Sequence, residues 1–122
     1  MPISKKVAAP NGLLLLSDIK GGKAPAPNAL RESLVASTPT CIAIRCMHEQ
    51  NGETEVKVGA ARDVGSSKPS AFEGDLWSPS RAVAVWTLNG TVLEAPVQHA
   101  RTRVRIWLNR WGEPDKAVIG LD

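Results

Sequence analysis

The sequence has few of the residues that cross-link small domains. Its 122 residues contain two cysteines and two histidines. Cys41 and Cys46 stand in one apolar segment, where a strand would place them on opposite faces about 16 Å apart, beyond disulfide reach. No histidine stands at a zinc-ligand spacing from them. We therefore predict no disulfide, no metal site and no cofactor.

Long apolar runs are also absent. Residues 13–16 are an uninterrupted apolar run, whereas a membrane-spanning helix needs about 20 such residues. The basic start at residues 1–6 is not followed by the apolar region and cleavage site of a secretion signal. With 43% hydrophobic and 22% charged residues, the composition is that of a globular domain. We expect a folded cytoplasmic protein without a membrane contact.

Aromatic residues and net charge are both low. There is no tyrosine, one phenylalanine and four tryptophans, and the net charge is +3. Residues 1–31 carry five basic residues and one acidic residue. Residues 32–100 carry five basic and eight acidic residues, and residues 101–122 carry five basic and three acidic residues. This small balance does not identify a nucleic-acid-binding protein, but it leaves room for one local basic surface.

The apolar pattern predicts a mainly β protein. Residues 1–12, which contain two prolines, are expected to form a flexible N-terminal arm. Residues 13–122 are expected to form a single domain of six to eight strands, because turn signals recur about every ten residues. The predicted architecture is a small antiparallel β-sandwich, with a closed or partly open barrel as the alternative. One short helix is expected near residues 29–36, capped by Asn28.

Two hairpins follow from period-two alternation. A five-residue loop between His48 and Thr54 gives one core face, formed by Ile42, Ile44, Cys46, Val56, Val58 and Ala60. Asn89-Gly90 is a strong hairpin signal, and a second tight turn at Gln98-His99 continues the meander. That register pairs Glu94 with Arg103. Its core face comprises Ala82, Ala84, Trp86, Leu88, Leu93, Ala95, Val97, Val104, Ile106 and Leu108.

The most specific feature is a row of arginines on one predicted strand. Arg101, Arg103 and Arg105, here called the arginine row, project from one face about 7 Å apart. Trp107 continues the row, and further basic and aromatic residues flank it. The candidate interaction surface comprises Arg101, Arg103, Arg105, Trp107, Arg81, Arg110 and Trp111. Such a surface binds phosphate, carboxylate or an acidic protein patch, with tryptophan as an anchor.

A solvated outer face, with arginines paired to acids, is the alternative to a binding surface. The register predicted above also places Val83, Val85 and Val92 on the arginine face. A half-apolar, arginine-rich face favours a partner over open water.

No catalytic pattern accompanies this surface. His48 and His99 fall in or beside predicted turns, and no carboxylate pair or nucleotide-binding fingerprint occurs. A small, bacterial-looking β-sandwich with an arginine strand resembles groups of inhibitor and immunity proteins. The sequence thus favours a non-enzymatic module that binds a protein partner or itself. The alternatives are binding of an anionic ligand or nucleic acid by the same arginines, and an enzyme with a site under the loop at residues 62–80.

Overall fold

Two five-stranded sheets pack face to face in the computed structural model, which describes residues 2–26, 30 and 33–122. The strands within these ranges are β1 (Ile3–Val7), β2 (Leu13–Asp18), β3 (Val35–Thr38), β4 (Cys41–Arg45), β5 (Thr54–Ala60), β6 (Phe72–Trp77), β7 (Ala82–Thr87), β8 (Gly90–Pro96), β9 (Arg101–Leu108) and β10 (Lys116–Leu121). A four-residue helix, α1 (Ala61–Val64), follows β5, and a short 3-10 turn spans Pro10–Gly12. No helix in the described ranges is long and apolar enough to cross a bilayer.

The predicted β-sandwich is confirmed. Sheet I has the strand order β1-β5-β10-β9-β6, and sheet II has the order β3-β4-β2-β7-β8. The sheets do not close into a barrel in the described part of the chain. There are more strands than the six to eight predicted, and the pair β5–β10 is parallel. The core lies between the sheets, and its largest fully buried side chains are Leu14, Leu16, Ile42, Ile44, Leu76, Ile106, Ile119, Val56, Val58, Val83, Val85 and Val104.

The helix predicted near residues 29–36 falls partly outside the described residues. Within residues 29–36, Val35 begins strand β3, which pairs antiparallel with β4. Asn28, the predicted cap, and residues 29, 31 and 32 lie outside the described residues. From Val35 the chain is a strand, because a β-branched residue favours that conformation and pairing with β4 stabilises it. The α-helix in the described residues is α1, at the end of β5.

The N-terminal segment joins sheet I. Residues 3–7, expected within a flexible arm, form β1 and pair antiparallel with β5. Pro2 and Pro10 lie outside the strand, so neither removes a donor from the ladder. A proline that lies before or after a strand does not prevent the strand from forming.

The predicted hairpin over residues 42–60 is wrong in its pairing. β4 belongs to sheet II and β5 to sheet I, so the chain crosses between the sheets after Cys46. The predicted buried side chains are nevertheless correct, except that Ala60 is only partly buried. Alternation identifies the buried face of a strand, but it does not identify the sheet that the strand joins.

The hairpin near Asn89-Gly90 forms between β7 and β8, but its strands pair one residue out of the predicted register. Thr87 pairs with Gly90, and an irregularity between Val85 and Trp86 shifts the register. Val83 and Val85 therefore face the core, whereas the predicted core residue Leu88 is exposed. A β-bulge of this kind reverses the faces beyond it. The predicted apolar patch of valines beside the arginines does not exist.

The second turn of the predicted meander is a crossover. β8 lies in sheet II and β9 in sheet I, so Arg103 does not face Glu94. The register partner of Arg103 is Asp75, on the edge strand β6. The prediction that Val104 and Ile106 face the core is confirmed.

Candidate interaction surface

The arginine row lies on the outer face of sheet I. Thr102, Val104 and Ile106 of β9 are fully buried, and the intervening arginines therefore project outward. The next outward position along the strand belongs to Trp107. The environment changes along the row, and each position has a different partner.

Trp107 is packed beneath the crossover from β5 to β6. Its indole Nε1 donates a hydrogen bond to the carbonyl of Lys68 at 3.0 Å, and the side chain is 8% exposed. Two glycines leave room for the indole. A Cβ on Gly65 would lie 3.2 Å from the Trp107 ring, and one on Gly120 would lie 3.1 Å from it. Trp107, predicted as a contact residue, is a packing residue.

Arg105 is engaged by its neighbours. Its Nη2 lies 3.6 Å from a carboxylate oxygen of Asp122. Its guanidinium lies 5.5 Å from the centre of the Trp107 ring, a cation–π distance. Both contacts hold the side chain against the sheet.

Arg103 connects β9 to β6. Its Nη2 lies 3.0 Å from Glu73 and its Nη1 lies 3.2 Å from Asp75. The hydrogen bonds to Asp75 and Glu73 raise the pKa of Arg103, and the guanidinium stays charged. Pairs this exposed contribute little stability each. These contacts hold the carboxylates of Glu73 and Asp75 over the outer face of sheet I.

Arg101 lies at the end of the row, opposite Trp77 of β6. No ion pair involves Arg101 among the residues described. The Trp77 side chain is 48% exposed. A shallow cavity of about 530 Å³ lies here, and its lining defines the Trp77–Arg101 patch: Pro39, Thr40, Asp75, Trp77 and Arg101.

Trp77 is not among the seven residues of the predicted interaction surface. The signal for its true position is the alternation within β6, where Leu76 is fully buried. Its neighbour Trp77 must then point to the outer face.

Buried hydroxyls fix the backbone beside the patch. Ser78 Oγ donates to the carbonyl of His99 at 2.9 Å and lies 2.8 Å from Thr102 Oγ1. Ser78 and Thr102 are both fully buried. Because Ser78 follows Trp77 and Thr102 follows Arg101, this link holds the two patch residues at a fixed spacing. Buried, satisfied polar contacts of this kind specify a unique arrangement.

Asp18 anchors the turn that follows. The side chain is 5% exposed, and its carboxylate accepts hydrogen bonds from the Ser80 N–H at 2.8 Å, the Ser80 hydroxyl at 2.7 Å and the Lys20 N–H at 3.0 Å. Burial alone would raise the pKa of Asp18, but the bonds from Ser80 and Lys20 outweigh it and lower the pKa. The end of β2 is thereby tied to the connection between β6 and β7.

Arg81 closes the same turn in a left-handed conformation. Its φ is 59°, and its Nη1 donates to the carbonyl of Gln98 at 3.1 Å. This conformation costs a residue with a side chain about 1–2 kcal/mol. Non-glycine residues with positive φ are uncommon.

Replacing Arg81 by glycine is expected to stabilise the protein. The Arg81→Gly variant removes the left-handed cost, which the lost hydrogen bond and the added freedom of the unfolded chain partly offset. We expect a net gain of about 0.5–1 kcal/mol in the free energy of unfolding. Urea denaturation measures it, with Arg62→Gly as a control at an exposed arginine of α1. A loss of stability in Arg81→Gly would contradict the assigned backbone conformation.

Arg110 and Trp111 lie at the opposite end of β9. Arg110 Nε donates to the carbonyl of Glu113 at 2.9 Å, and Trp111 is 75% exposed. The eight residues of β9 separate this end from Arg101 by roughly 25 Å. The seven predicted surface residues therefore do not form one patch. Arg81 and Arg101 lie toward one end of β9, and Arg110 and Trp111 lie at the other.

A polar cleft near Trp111 contains one histidine. It measures about 610 Å³ and is lined in part by Arg45, His48 and Glu113. The Glu113 carboxylate accepts the main-chain N–H of His48 at 2.9 Å and the Asn51 amide at 3.0 Å. The His48 imidazole Nδ1 accepts the N–H of Gln50 at 3.1 Å. Glu113 thus connects the loop between β9 and β10 to the loop between β4 and β5, through the main chain of His48 and the side-chain amide of Asn51.

The pH dependence of stability is expected to report this contact. Hydrogen bonds from the His48 main chain and Asn51 lower the pKa of Glu113 below its ordinary value of 4.5. A lowered folded pKa gives stabilisation that is present above 4.5 and is lost as the pH falls through the folded value. In thermal melts, the wild type should exceed Glu113→Gln in Tm at neutral pH, with the gap closing below about pH 4.5. A pH-independent gap would contradict the contact.

Both cysteines are free and buried. Burial raises the pKa of each thiol to about 11. A thiol with so high a pKa is protonated at neutral pH and is a poor nucleophile.

Two solved structures share this fold. The chain is similar to ComJ, described as an inhibitor of the DNA degrading activity of NucA, from Bacillus subtilis, with a TM-score of 0.69 and 8% identity over 98% of this chain and 93% of that one. It is also similar to the protein described as Crocagin biosynthetic gene J, with a TM-score of 0.60 and 12% identity over 99% and 96% of the two chains. No protein-family model and no curated protein matches the sequence. At these identities the likeness shows the fold alone.

Proposed function

We propose that this chain is a non-enzymatic protein-interaction module that binds its partner through the Trp77–Arg101 patch. The observation that carries the proposal is the half-exposed indole of Trp77 beside a guanidinium that has no ion pair among the described residues. Tryptophan and arginine are the residues most enriched at the centres of protein interfaces. Ser78 and Thr102 hold the pair in place, which lowers the entropy cost of binding.

An inhibitor-like role is the form of this function that the comparisons support. ComJ is described as an inhibitor of a nuclease, and its fold covers almost the whole of this chain. A rigid sandwich that presents a fixed patch is suited to blocking another protein. We therefore propose that the partner is a protein whose activity this chain restrains.

The state of the arginines argues against an anionic ligand. Arg103 is paired with Glu73 and Asp75, and Arg105 is paired with Asp122. A phosphate would have to compete with these carboxylates for the arginines. A protein surface carries groups of both charges, so it can contact the arginines and the carboxylates together. Only Arg101 is unpaired within the row, among the residues described.

Two measurements test the proposal. The immobilised chain, incubated with a lysate of its source cells, should retain a discrete protein that remains bound after a wash at high salt. A labelled 20-nucleotide DNA should not bind at micromolar concentration at either 50 or 200 mM salt. DNA binding that weakens steeply with salt would instead identify a phosphate-binding surface. A solution mass of twice 13.0 kDa would identify a second copy as the partner.

A further inference from the structure

Strand β6 leaves part of its backbone unpaired at the edge of sheet I. The N–H of Ser78 bonds to Ala100 across the pair with β9, whereas the N–H of Trp77 points the other way and bonds to the Pro39 carbonyl. In an antiparallel pair these directions alternate along the strand. The peptide groups of Asp75 and Glu73 therefore point away from β9, as that of Trp77 does. No turn or loop in the described residues bonds to them.

The side chains that would shield this edge are drawn back from it. Glu73 and Asp75 both reach over the sheet to Arg103, at 3.0 and 3.2 Å. Their carboxylates bond to Arg103, and no side chain among the described residues bonds to the N–H or C=O of Glu73 or Asp75. An exposed edge of this kind is a template for pairing with another chain.

The other sheet edges carry protective features. In β3, Ser33 Oγ bonds both the N–H and the C=O of Val35. In β8, a register irregularity and the terminal Pro96 disrupt the edge. In β1, Lys5 shares the face of the core residue Val56. Bulges, prolines and inward-facing lysines are devices that prevent edge pairing. Between Phe72 and Trp77, β6 has no proline, no lysine and no register irregularity, and it borders the Trp77–Arg101 patch.

We propose that β6 accepts an extended segment of the partner protein as an added strand, bonded to the peptide groups of Glu73 and Asp75. This inference rests on the proposed function and specifies how the partner binds. Two peptide groups offer two donors and two acceptors, enough for a segment of about five residues. The added strand would continue sheet I.

The chemistry of β6 selects the added segment. Its outer face carries Glu73 and Asp75, and its inner face carries the half-buried Phe72 and the buried Leu76. A complementary segment alternates basic residues on the outer face with apolar residues on the inner face. Antiparallel pairing of two β6 strands about Gly74 would set Glu73 against the second copy's acidic side chains, so a second copy does not fit this edge.

The experiment uses a synthetic seven-residue peptide of alternating valine and lysine, with fluorescence anisotropy as the measure of binding. Glu73→Pro removes one donor and adds a ring at the open edge, where proline is compatible with the fold. Glu73→Ala controls for the lost side chain. Glu94→Pro makes the same change at an outward-facing position of β8 and leaves β6 intact. Circular dichroism melts verify that each variant folds.

We expect the peptide to bind, and Glu73→Pro to weaken it about tenfold relative to Glu73→Ala, with Glu94→Pro equal to the wild type. A peptide N-methylated on alternate amides should not bind. Failure of the parent peptide to bind, or equal binding of Glu73→Pro and Glu73→Ala, would overturn the added strand. If neither proline variant changes binding of the peptide but Trp77→Ala weakens it, the added strand is wrong, and the Trp77–Arg101 patch remains the proposed binding site. If capture of the cellular partner is unaffected by loss of Trp77 and Arg101, the proposed function itself is wrong.

Discussion

Replacing Trp77 and Arg101 together by alanine is expected to weaken binding of the partner at least about 30-fold, which corresponds to about 2 kcal/mol. The indole is the aromatic side chain of the patch and is 48% exposed, and the guanidinium has no ion pair among the described residues, so it can pair with a partner carboxylate. Both side chains are exposed, so the fold should tolerate the change. Isothermal titration of the captured partner gives the dissociation constants.

The chain provides a matched control at the other end of β9. Replacing Arg110 and Trp111 by alanine removes the same two residue types, also exposed, roughly 25 Å away. This double variant should bind the partner as the wild type does. If the Arg110 and Trp111 variant loses binding and the Trp77 and Arg101 variant keeps it, the interface is centred on the turn between β9 and β10 instead.

Replacing Asp18 by alanine is expected to lower the free energy of unfolding by about 2–4 kcal/mol. The carboxylate is almost fully buried and accepts three hydrogen bonds, two of them from main-chain N–H groups. Its removal leaves the donors of Ser80 and Lys20 without their acceptor inside the fold. Urea denaturation measures the loss, and Asp18→Asn, which retains an acceptor oxygen, should lose less.

The same carboxylate gives a pH signature. The pKa of Asp18 is lowered below its ordinary value of 3.8, so its stabilisation is present above 3.8 and is lost as the pH falls through the folded value. The difference between the wild type and Asp18→Asn should therefore shrink below about pH 3.8. A difference that grows on acidification would mean that the buried carboxyl is held in its neutral form.

Local alternation predicted the buried side chains of β4, β5 and β9, but it assigned the wrong face of β7 to the core. It placed Ile42, Ile44, Val56 and Val58 in the core, and it set the arginines of β9 on the side opposite Val104. These are properties of a single strand, fixed by its period of two. A hairpin turn near Asn89-Gly90 was also predictable, but the turn residues are Leu88 and Asn89, because Thr87 pairs with Gly90. Gly90 has a positive φ of 127°, which favours glycine at that position.

The pairing of strands could not be predicted in the same way. β4 and β5, and again β8 and β9, are consecutive in sequence but lie in opposite sheets. A strand with one apolar face is compatible with either sheet, so the choice depends on contacts distant in sequence. The bulge opposite Val85 and Trp86, where Val92 is the extra residue of β8, is a further local departure that shifts the faces of the two strands relative to each other.

The candidate site was only partly predictable for the same reason. The arginine row follows from β9 alone, but its partners come from β6, the crossover and the C-terminal residue. That Trp107 is covered and Trp77 is exposed depends on the path of residues 65–71 over sheet I. The residues next to Trp107 in sequence do not indicate that residues 65–71 pass over it.

Hydrogen–deuterium exchange of the chain, free and bound to its partner, shows which residues the partner covers. We predict slowed exchange over residues 73–77 and 101–105 in the complex, with residues 109–115 unchanged. Protection confined to residues 109–115, or to the outer face of sheet II around Trp86, would contradict it.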